Sequence, residues 1–488
     1  KLDKLNKSIL WLSLIPLSFW FVSHYAFSWN RTESLPQKLF LIEKGKLCSV
    51  NNFTTLSYGY HWYSPSQGYQ IVLYLIFNIF GFTGVTFFYA LSATTIFTLF
   101  IKLLKGNTYF NLILFTALMW LSWGIVGLGF RSQIVTLYFF TVFLGLIEIG
   151  ERKFKYLFLL VPLMFFWSNF HSGFFLGNIL TLLLVARFLV LYLKRSISKD
   201  LMIRVLIITI FSNLATLFNP YGVGIYQEVL RHTKVPLNTL IAEWVPPNPI
   251  QIFIVAGATL IIVTLLIIVK SYDPVRLGIL IITAIFSLEA RRNLPLFSIA
   301  FIYALSDKNL QEVTSEIFKK IALPETIIAF LIIIFVSTVP NNLPSALHFG
   351  ETEYCQKALS ALPCKAVDFL KIQNPGNIFN AYEWGGYLIW KLPNFKIFVD
   401  GRMPSWDTID EIKLTKRWRG KSPYTIYIET MYAVPEWQEV MQKYNIEYIL
   451  IETKYPLYEL LSRDSETYGY HQIYRDSVAV LYQRISRE

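Results

Sequence analysis

The sequence predicts an α-helical polytopic membrane protein with a C-terminal extracytoplasmic α/β domain, and three observations carry that prediction. The 488 residues are 54% hydrophobic and only 16% charged, with a mean hydropathy of +0.45, far from the averages of soluble domains. Apolar runs long enough to cross about 30 Å of hydrocarbon recur as far as residue 339 and then stop. The aromatic share of 17% suits a bilayer, where Trp and Tyr favour the headgroup boundary and Phe the interior.

The apolar runs lie near 8–28, 84–104, 108–124, 133–148, 155–169, 173–193, 203–219, 249–270, 275–290, 294–306 and 321–339. The stretch from Gly68 to Lys105 is long enough for two crossings, and charge decides the count. With 68–82 lying along the surface and only 84–104 crossing, Lys4, Lys105, Arg152, Lys194, Arg276 and Lys320 all fall on one side. The positive-inside rule makes that side cytoplasmic. The expectation is therefore about 11 transmembrane helices in the plasma membrane, multi-pass, with the N-terminus inside and the C-terminal domain outside. The run at 8–28 lacks a small-residue cleavage site after it and reads as a retained span rather than a removed signal. The formal charge of +12 sits at the ends of apolar segments as topology signals, so it does not point to nucleic acid.

Two domains follow: 1–339 in the membrane, with an outer loop and surface helix at 29–83, and 340–488 outside. Beyond Pro340, turn residues and short alternating segments replace the apolar runs. They predict helices at Gln356–Ile372, Pro435–Tyr444 and Pro456–Arg463, and strands at Lys396–Asp400, Glu447–Glu452, His471–Arg475 and Ala479–Gln483. The cysteines, Cys48, Cys355 and Cys364, all fall on the predicted outer side. Cys355 and Cys364 either pair in an oxidising compartment or stand as free thiols, because spacing alone does not bring Cβ atoms together. No histidine stands near them at ligand spacing, which argues against a metal centre.

The unusual polar residues collect in the outer loops: Arg131-Ser132-Gln133, Trp167-Ser168-Asn169-Phe170-His171, Asn219-Pro220-Tyr221-Gly222, Glu243-Trp244-Val245-Pro246-Pro247 and Arg291-Arg292-Asn293. Arginine forks suit a phosphate, while amides, a carboxylate and aromatic rings suit a hydroxylated ring. Each piece also has a plainer reading. Asn-Pro-Tyr-Gly is a common helix stop, Arg291 and Arg292 reach lipid phosphates by snorkelling, His171 is an ordinary interfacial histidine, and Glu243 a solvated loop acid. In the outer domain, Glu383-Trp384-Gly385-Gly386-Tyr387 precedes Asp400-Gly401-Arg402. The glycines there allow close backbone approach, and Asp400 at a strand end holds either Arg402 or a ligand hydroxyl.

Taken in order, these motifs resemble those of bacterial polytopic membrane proteins with the glycosyltransferase C fold, in particular the family-39-like enzymes that use polyprenyl-phosphate sugars. The resemblance rests on the first outer loop and its surface helix, Arg-x-Gln at 131–133, and Trp-x-Asn-x-His-x-Gly at 167–173. It continues through Asn-Pro-Tyr-Gly, Glu-Trp-x-Pro-Pro at 243–247, Arg-x-x-Pro-Leu-Phe at 292–297, and Asn380 to Leu388 followed by Val399-Asp400-Gly401-Arg402.

The resemblance implies a hexosyl- or pentosyltransferase of the cell envelope, with a polyprenyl-phosphate-linked sugar as donor, membrane lipids around it, and a glycan or protein as acceptor. A loop carboxylate would act as general base or metal-linked anchor, with inversion at the anomeric carbon. A divalent cation is the one cofactor it admits. Where such relatives carry acids in the first outer loop, this chain has Asn30, Asn51 and Ser66. The catalytic candidates are therefore Glu33 and Glu43, the acids left in that loop, and Glu243, which has a neighbouring Trp and stiffening prolines. Arg131, Asn169, His171, Tyr221, Trp244, Arg291, Arg292, Glu383, Asp400 and Arg402 are the substrate-binding candidates. The rival expectation is a catalytically degenerate relative that binds lipid-linked sugar or serves envelope assembly without transfer. A transporter has less support, because ionisable residues within the spans are scarce.

Overall fold

The computed structural model describes residues 51, 53–103, 121–122, 132–234, 244–312, 355, 362–403, 406, 417–418 and 420–485. The membrane part is a helical bundle. It begins with α1 (Gln67–Leu103), which is broken at Gly81, where φ is 60° and ψ −154°. Only glycine adopts such a backbone without strain. The break falls inside the stretch expected along the surface, 68–82, near its end and just before the one expected to cross. There follow α2 (Gln133–Arg152), a 3-10 turn Phe154–Leu159 leading into α3 (Leu160–Phe170), α4 (Phe174–Leu193), α5 (Lys199–Ala215) and α6 (Gly224–Lys234). The bundle continues with α7 (Pro249–Ile268), α8 (Pro274–Glu289) and α9 (Leu294–Leu305).

Three of these, α2, α4 and α7, are long and apolar enough to cross a membrane, and 154–170 forms a shorter apolar helix. The remaining helices at expected spans, α5, α8 and α9, are shorter. The runs at 8–28 and 321–339, and most of 108–124, lie outside the described residues. Large apolar side chains point away from the bundle: Leu182 on α4, Ile210 and Phe211 on α5, and Phe253, Leu260 and Ile268 on α7 are all more than half exposed. A helix apolar on all faces suits lipid rather than water.

Local chemistry sets where the helices start. Ser198 Oγ accepts the Leu201 N–H to open α5. Asn248 and Gln251 form a reciprocal capping box with Pro249 in the first turn of α7, and Asp273 with Pro274 does similar work for α8. Each pattern satisfies amides that the helix itself leaves unpaired.

Opposite ends of the bundle differ in character. At one end, Arg187 pairs with Glu151 at 2.5 Å and Asp273 at 3.3 Å, while Arg276 meets Glu148, Asp273 and Asp307 and donates to the Tyr303 carbonyl. This ion network ties the ends of α2, α4 and α9 to the start of α8. The sequence reading did not anticipate it, having treated Arg276 only as a topology signal. The other end carries the aromatic and polar loops described below.

The C-terminal domain, called the outer domain after its expected side, is an α/β unit with a five-stranded sheet in the order β2-β1-β3-β5-β4. Its strands are β1 (Asn377–Asn380), β2 (Lys396–Ile397), β3 (Ile446–Ile451), β4 (Tyr470–Arg475) and β5 (Val480–Arg484). β1 runs parallel to both β2 and β3, and β5 is antiparallel to β3 and β4. The helices are α10 (Cys364–Leu370), α11 (Gly385–Lys391), α12 (Pro423–Met431), α13 (Trp437–Lys443) and α14 (Pro456–Asp464). Ile378, Phe379, Ile449, Leu450 and Leu481 are fully buried and make the sheet the core of the unit. β1, α11 and α12 were not foreseen. Cys355 and Cys364 form a disulfide, with Cα atoms 6.0 Å apart.

The segment before α1, the first outer loop of the expected topology, completes the sheet edge. Thr55 N–H donates to the Ile397 carbonyl at 2.8 Å and Ile397 N–H to the Phe53 carbonyl at 3.2 Å, so 53–55 lies beside β2 as a short parallel addition. Edge pairing of this kind covers unpaired backbone groups that water or another chain would otherwise take. It also fixes the outer domain to the membrane part, helped by an edge contact between Phe77 of α1 and Trp390 of α11.

Candidate functional site

Five stretches of chain meet at the loop end of the bundle. The loop after α5 turns through Asn219, whose Oδ1 accepts the Tyr221 N–H at 2.8 Å and whose Nδ2 donates to the Thr216 and Gly222 carbonyls. Gly222 has a φ of +53°. This is the Asx-type turn that Asn-Pro-Tyr-Gly favours, and it places α6 across the loop end. Tyr221 packs edge-on against Tyr63 of the first outer loop, with centroids 5.6 Å apart.

On α6 the spacing Glu228-x-x-Arg231-His232 puts three polar groups on one helix face. Arg231 Nη1 lies 2.8 Å from Glu228 Oε2. His232 Nδ1 donates to the Glu228 carbonyl at 2.9 Å and stands 3.6 Å from Glu228 Oε1. The Glu228 side chain is 1% exposed. A carboxylate buried so fully needs compensating charge, and Arg231 supplies it. The sequence reading missed Glu228; the i, i+3, i+4 pattern on an amphipathic segment was the signal that marks it.

Aromatic faces extend this cluster in both directions. Arg231 sits over the Tyr60 ring at 5.4 Å, and Tyr60 stacks on Trp406 at 4.5 Å with 17° between planes. On the other side His232 stacks near Trp244 at 6.5 Å, and Arg292 lies over the opposite partner of that pair, 4.2 Å from the Trp244 ring. The Arg291 N–H donates to the Val245 carbonyl at 3.0 Å, which pins the 244–245 turn to the start of α9. Guanidinium over indole is the strongest of these pairings. The result is a ladder, Trp406, Tyr60, Arg231, Glu228, His232, Trp244, Arg292, running from the outer domain to the end of α8.

His171 belongs to a second group reached through the same outer loop. Its Nδ1 accepts the Gly173 N–H at 3.1 Å and meets Thr136 Oγ1 at 2.6 Å, an arrangement that places the ring proton on Nε2. The Trp167 Nε1–H donates to the same Thr136 hydroxyl. A Cβ on Gly173 would come within 2.0 Å of Thr136 Oγ1, so only glycine lets the chain turn there. Asn169 donates to the Phe165 and Phe218 carbonyls and ties α3 to the end of α5. Gly68, at the start of α1, packs against Phe170 and the Asn169 carbonyl. Residues 60–68 therefore run from the Arg231 group to the His171 group.

The remaining expected residues divide clearly. Asp400 is fully buried, and its carboxylate accepts both the Arg402 backbone N–H and the guanidinium in a bidentate pair at 2.8 and 2.6 Å. Arg402 also donates to Asn51 Oδ1 at 2.9 Å and lies near the rings of Phe53, Trp62 and Trp406. Of the two roles the sequence left open for Asp400, the structure shows the ion pair with Arg402, and the pair ties this domain to the loop at 51–57. Asn51 is 1% exposed and donates to Thr54 Oγ1 and the Ser57 carbonyl. Ser66 accepts from Gln70 Nε2. Two of the positions aligned with missing acids thus carry structural hydrogen bonds. Glu383 stands apart, at the strand ends of the outer domain. Glu33, Glu43, Arg131 and Glu243 lie outside the described residues. Among the described residues no group of three or more His, Cys, Asp or Glu gathers to hold a metal ion.

No family model matches the chain, and no curated protein matches it. Among solved structures it is similar to the archaeal oligosaccharyltransferase AglB from Archaeoglobus fulgidus, solved in complex with an inhibitory peptide and a dolichol-phosphate. The likeness covers 98% of this chain and 74% of that one, with a TM-score of 0.56 at 11% identity. At that identity the likeness speaks for the fold alone, a helical bundle joined to a small sheet domain.

Proposed function

We propose that this chain is a membrane glycosyltransferase that moves a sugar from a polyprenyl-phosphate donor to an extracytoplasmic glycan or protein. The observation that carries the reading is the ladder of Arg231, Glu228, His232, Trp244 and Arg292 at one end of the bundle. Two guanidinium groups among aromatic faces suit a departing lipid phosphate with a sugar stacked beside it. Glu228 serves as a positioning residue, since its charge holds Arg231 and His232. The base that takes the acceptor proton is Glu243, next to Trp244 in the sequence, with Glu33 and Glu43 as the other candidates; a carboxylate there also offsets charge in an oxocarbenium-like transition state. In this reading the bundle end carrying the ladder faces outward in the plasma membrane, which the basic loops expected at the other end support.

A second reading, binding of lipid-linked sugar without transfer, draws support from Asn51 and Ser66, whose side chains are taken up in structural hydrogen bonds. Reconstitution with a panel of polyprenyl-phosphate sugars separates the two. Sugar release or transfer by the wild type, abolished in Glu243→Gln and Arg292→Ala, supports the enzyme. Binding of the lipid without turnover in any preparation would overturn it in favour of the second reading.

A further inference from the structure

The outer domain has a second place built for a ligand. In its sheet, β1 leads through α11 to β2 on one side, whereas β3, the other parallel neighbour of β1, leads through α14 away from it. The chain therefore leaves the carboxyl ends of β1 and β3 in opposite directions. In parallel α/β sheets such a switch point opens a crevice outside the strand ends, and ligands bind there.

The residues at this crevice are specific. Glu383 follows β1, and Tyr455 follows β3 at the start of α14. The Ala381 N–H donates to the Leu450 carbonyl at 3.2 Å, holding the two exits together. Tyr424 and Tyr427 come from α12; the Tyr427 hydroxyl accepts the Tyr382 N–H at 2.9 Å, and Tyr382 meets the Tyr424 ring edge-on at 5.2 Å. Burial first, and the Glu383 charge after it, raises the hydroxyls of Tyr424, Tyr427 and Tyr455 above their ordinary value. Glu383 Oε2 is buried and has no hydrogen-bond partner among the described residues. No Lys, Arg or His among them forms an ion pair with it. Burial of a carboxylate oxygen without a partner is unfavourable, and a bound cation would supply the missing partner.

We propose that the β1/β3 switch point is a binding site for a protonated amine, with Glu383 Oε2 as the counter-charge and Tyr382 and Tyr424 beside it. The ammonium group would donate to Glu383. Two sources present that group: an amino sugar and the ethanolamine of a lipid headgroup. The proposal does not rest on the transferase reading, because it concerns binding alone.

The test uses the full chain in detergent or nanodiscs and reads thermal midpoint and tyrosine fluorescence as ligand is added. Glucosamine and O-phosphoethanolamine are the two probes, and N-acetylglucosamine is the control that keeps the ring but loses the charge. Stabilisation by glucosamine alone assigns an amino sugar, by phosphoethanolamine alone a headgroup amine, and by both the shared ammonium; each supports the site. Glu383→Gln removes the charge at constant shape and is expected to weaken binding by at least about tenfold. Stabilisation by N-acetylglucosamine as large as that by glucosamine, no response to either amine, or unchanged affinity in a folded Glu383→Gln protein would overturn the proposal. The amine-against-amide comparison needs no variant, so it decides the matter even where that variant does not fold.

Discussion

Arg402 joins two distant parts of the chain, with Nη2 2.6 Å from Asp400 Oδ2 and 2.9 Å from Asn51 Oδ1. One guanidinium thus closes a bidentate pair inside the outer domain and gives the second Nη2 hydrogen to the first outer loop. The loop answers with backbone pairing to β2 and with Tyr60 stacked on Trp406. Because Tyr60 also faces Arg231, the clamp that seats the outer domain is continuous with the candidate site.

Asp400→Asn leaves the Arg402 guanidinium, 8% exposed, without its anion. Breaking a buried pair from one side costs about 3–5 kcal/mol, so the outer domain should melt well below the wild type in a calorimetric or fluorescence scan. Arg402→Lys keeps the charge but loses the fork, and should fall between the two. Equal melting of all three proteins would refute the clamp.

Gly385→Ala tests the closeness of α11 to the strand exit. A Cβ at that position would lie 2.3 Å from the Val399 carbonyl oxygen and 2.7 Å from Asp400 Cα, and both are backbone atoms that cannot swing aside. Overpacking of this kind costs about 1–3 kcal/mol. The expected result is lowered thermal stability and faster proteolysis within 377–402, with the transmembrane helices unaffected.

These two sites also show what was legible in the sequence. The strand ends around Asp400 and the outer helices at 437–443 and 456–464 announced themselves by alternation and by proline starts. β1 did not: Asn377-Ile378-Phe379-Asn380 is short and flanked by polar residues, and Asn380 is buried because its side chain bonds the 398–399 backbone. Asp400 looked like a ligand because a strand-end acid suits either role, and only the fold shows Asn51 completing its partner's hydrogen bonds. Glu228 was overlooked because helix α6 is polar and short, so its neighbours matter more than its hydropathy. Trp244 and Arg292 were singled out separately; their stacking is a tertiary fact no local pattern carries.

The tyrosines of the outer domain predict its behaviour in alkali. Burial first, and then the Glu383 charge, pushes Tyr424 up to about 12; burial does the same to Tyr482, to about 12, and raises Tyr427, Tyr444 and Tyr470 as well. In the unfolded chain these groups ionise near 10. The folded form therefore binds the proton more tightly, and stability is intact below pH about 10 and declines as pH rises toward about 12. Tyrosinate absorbance should show exposed rings titrating first and the buried set appearing only with loss of sheet circular dichroism. A single titration near pH 10 with the sheet intact would contradict this.

Trp244 is the joint of the candidate site, with Arg292 at 4.2 Å and His232 at 6.5 Å from its ring. If the guanidinium binds a lipid phosphate while resting on the indole, charge and planarity both matter. Arg292→Lys retains the charge and should weaken binding of polyprenyl phosphate modestly, whereas Arg292→Gln should weaken it by about tenfold or more. Trp244→Leu removes the face that orients Arg292, and its effect should shrink once Arg292 is already Gln. A double-mutant cycle on lipid-phosphate affinity measures that coupling, expected at about 0.5–2 kcal/mol. Additive losses would mean that the two side chains act independently, and the ladder would then be a packing feature rather than a phosphate site.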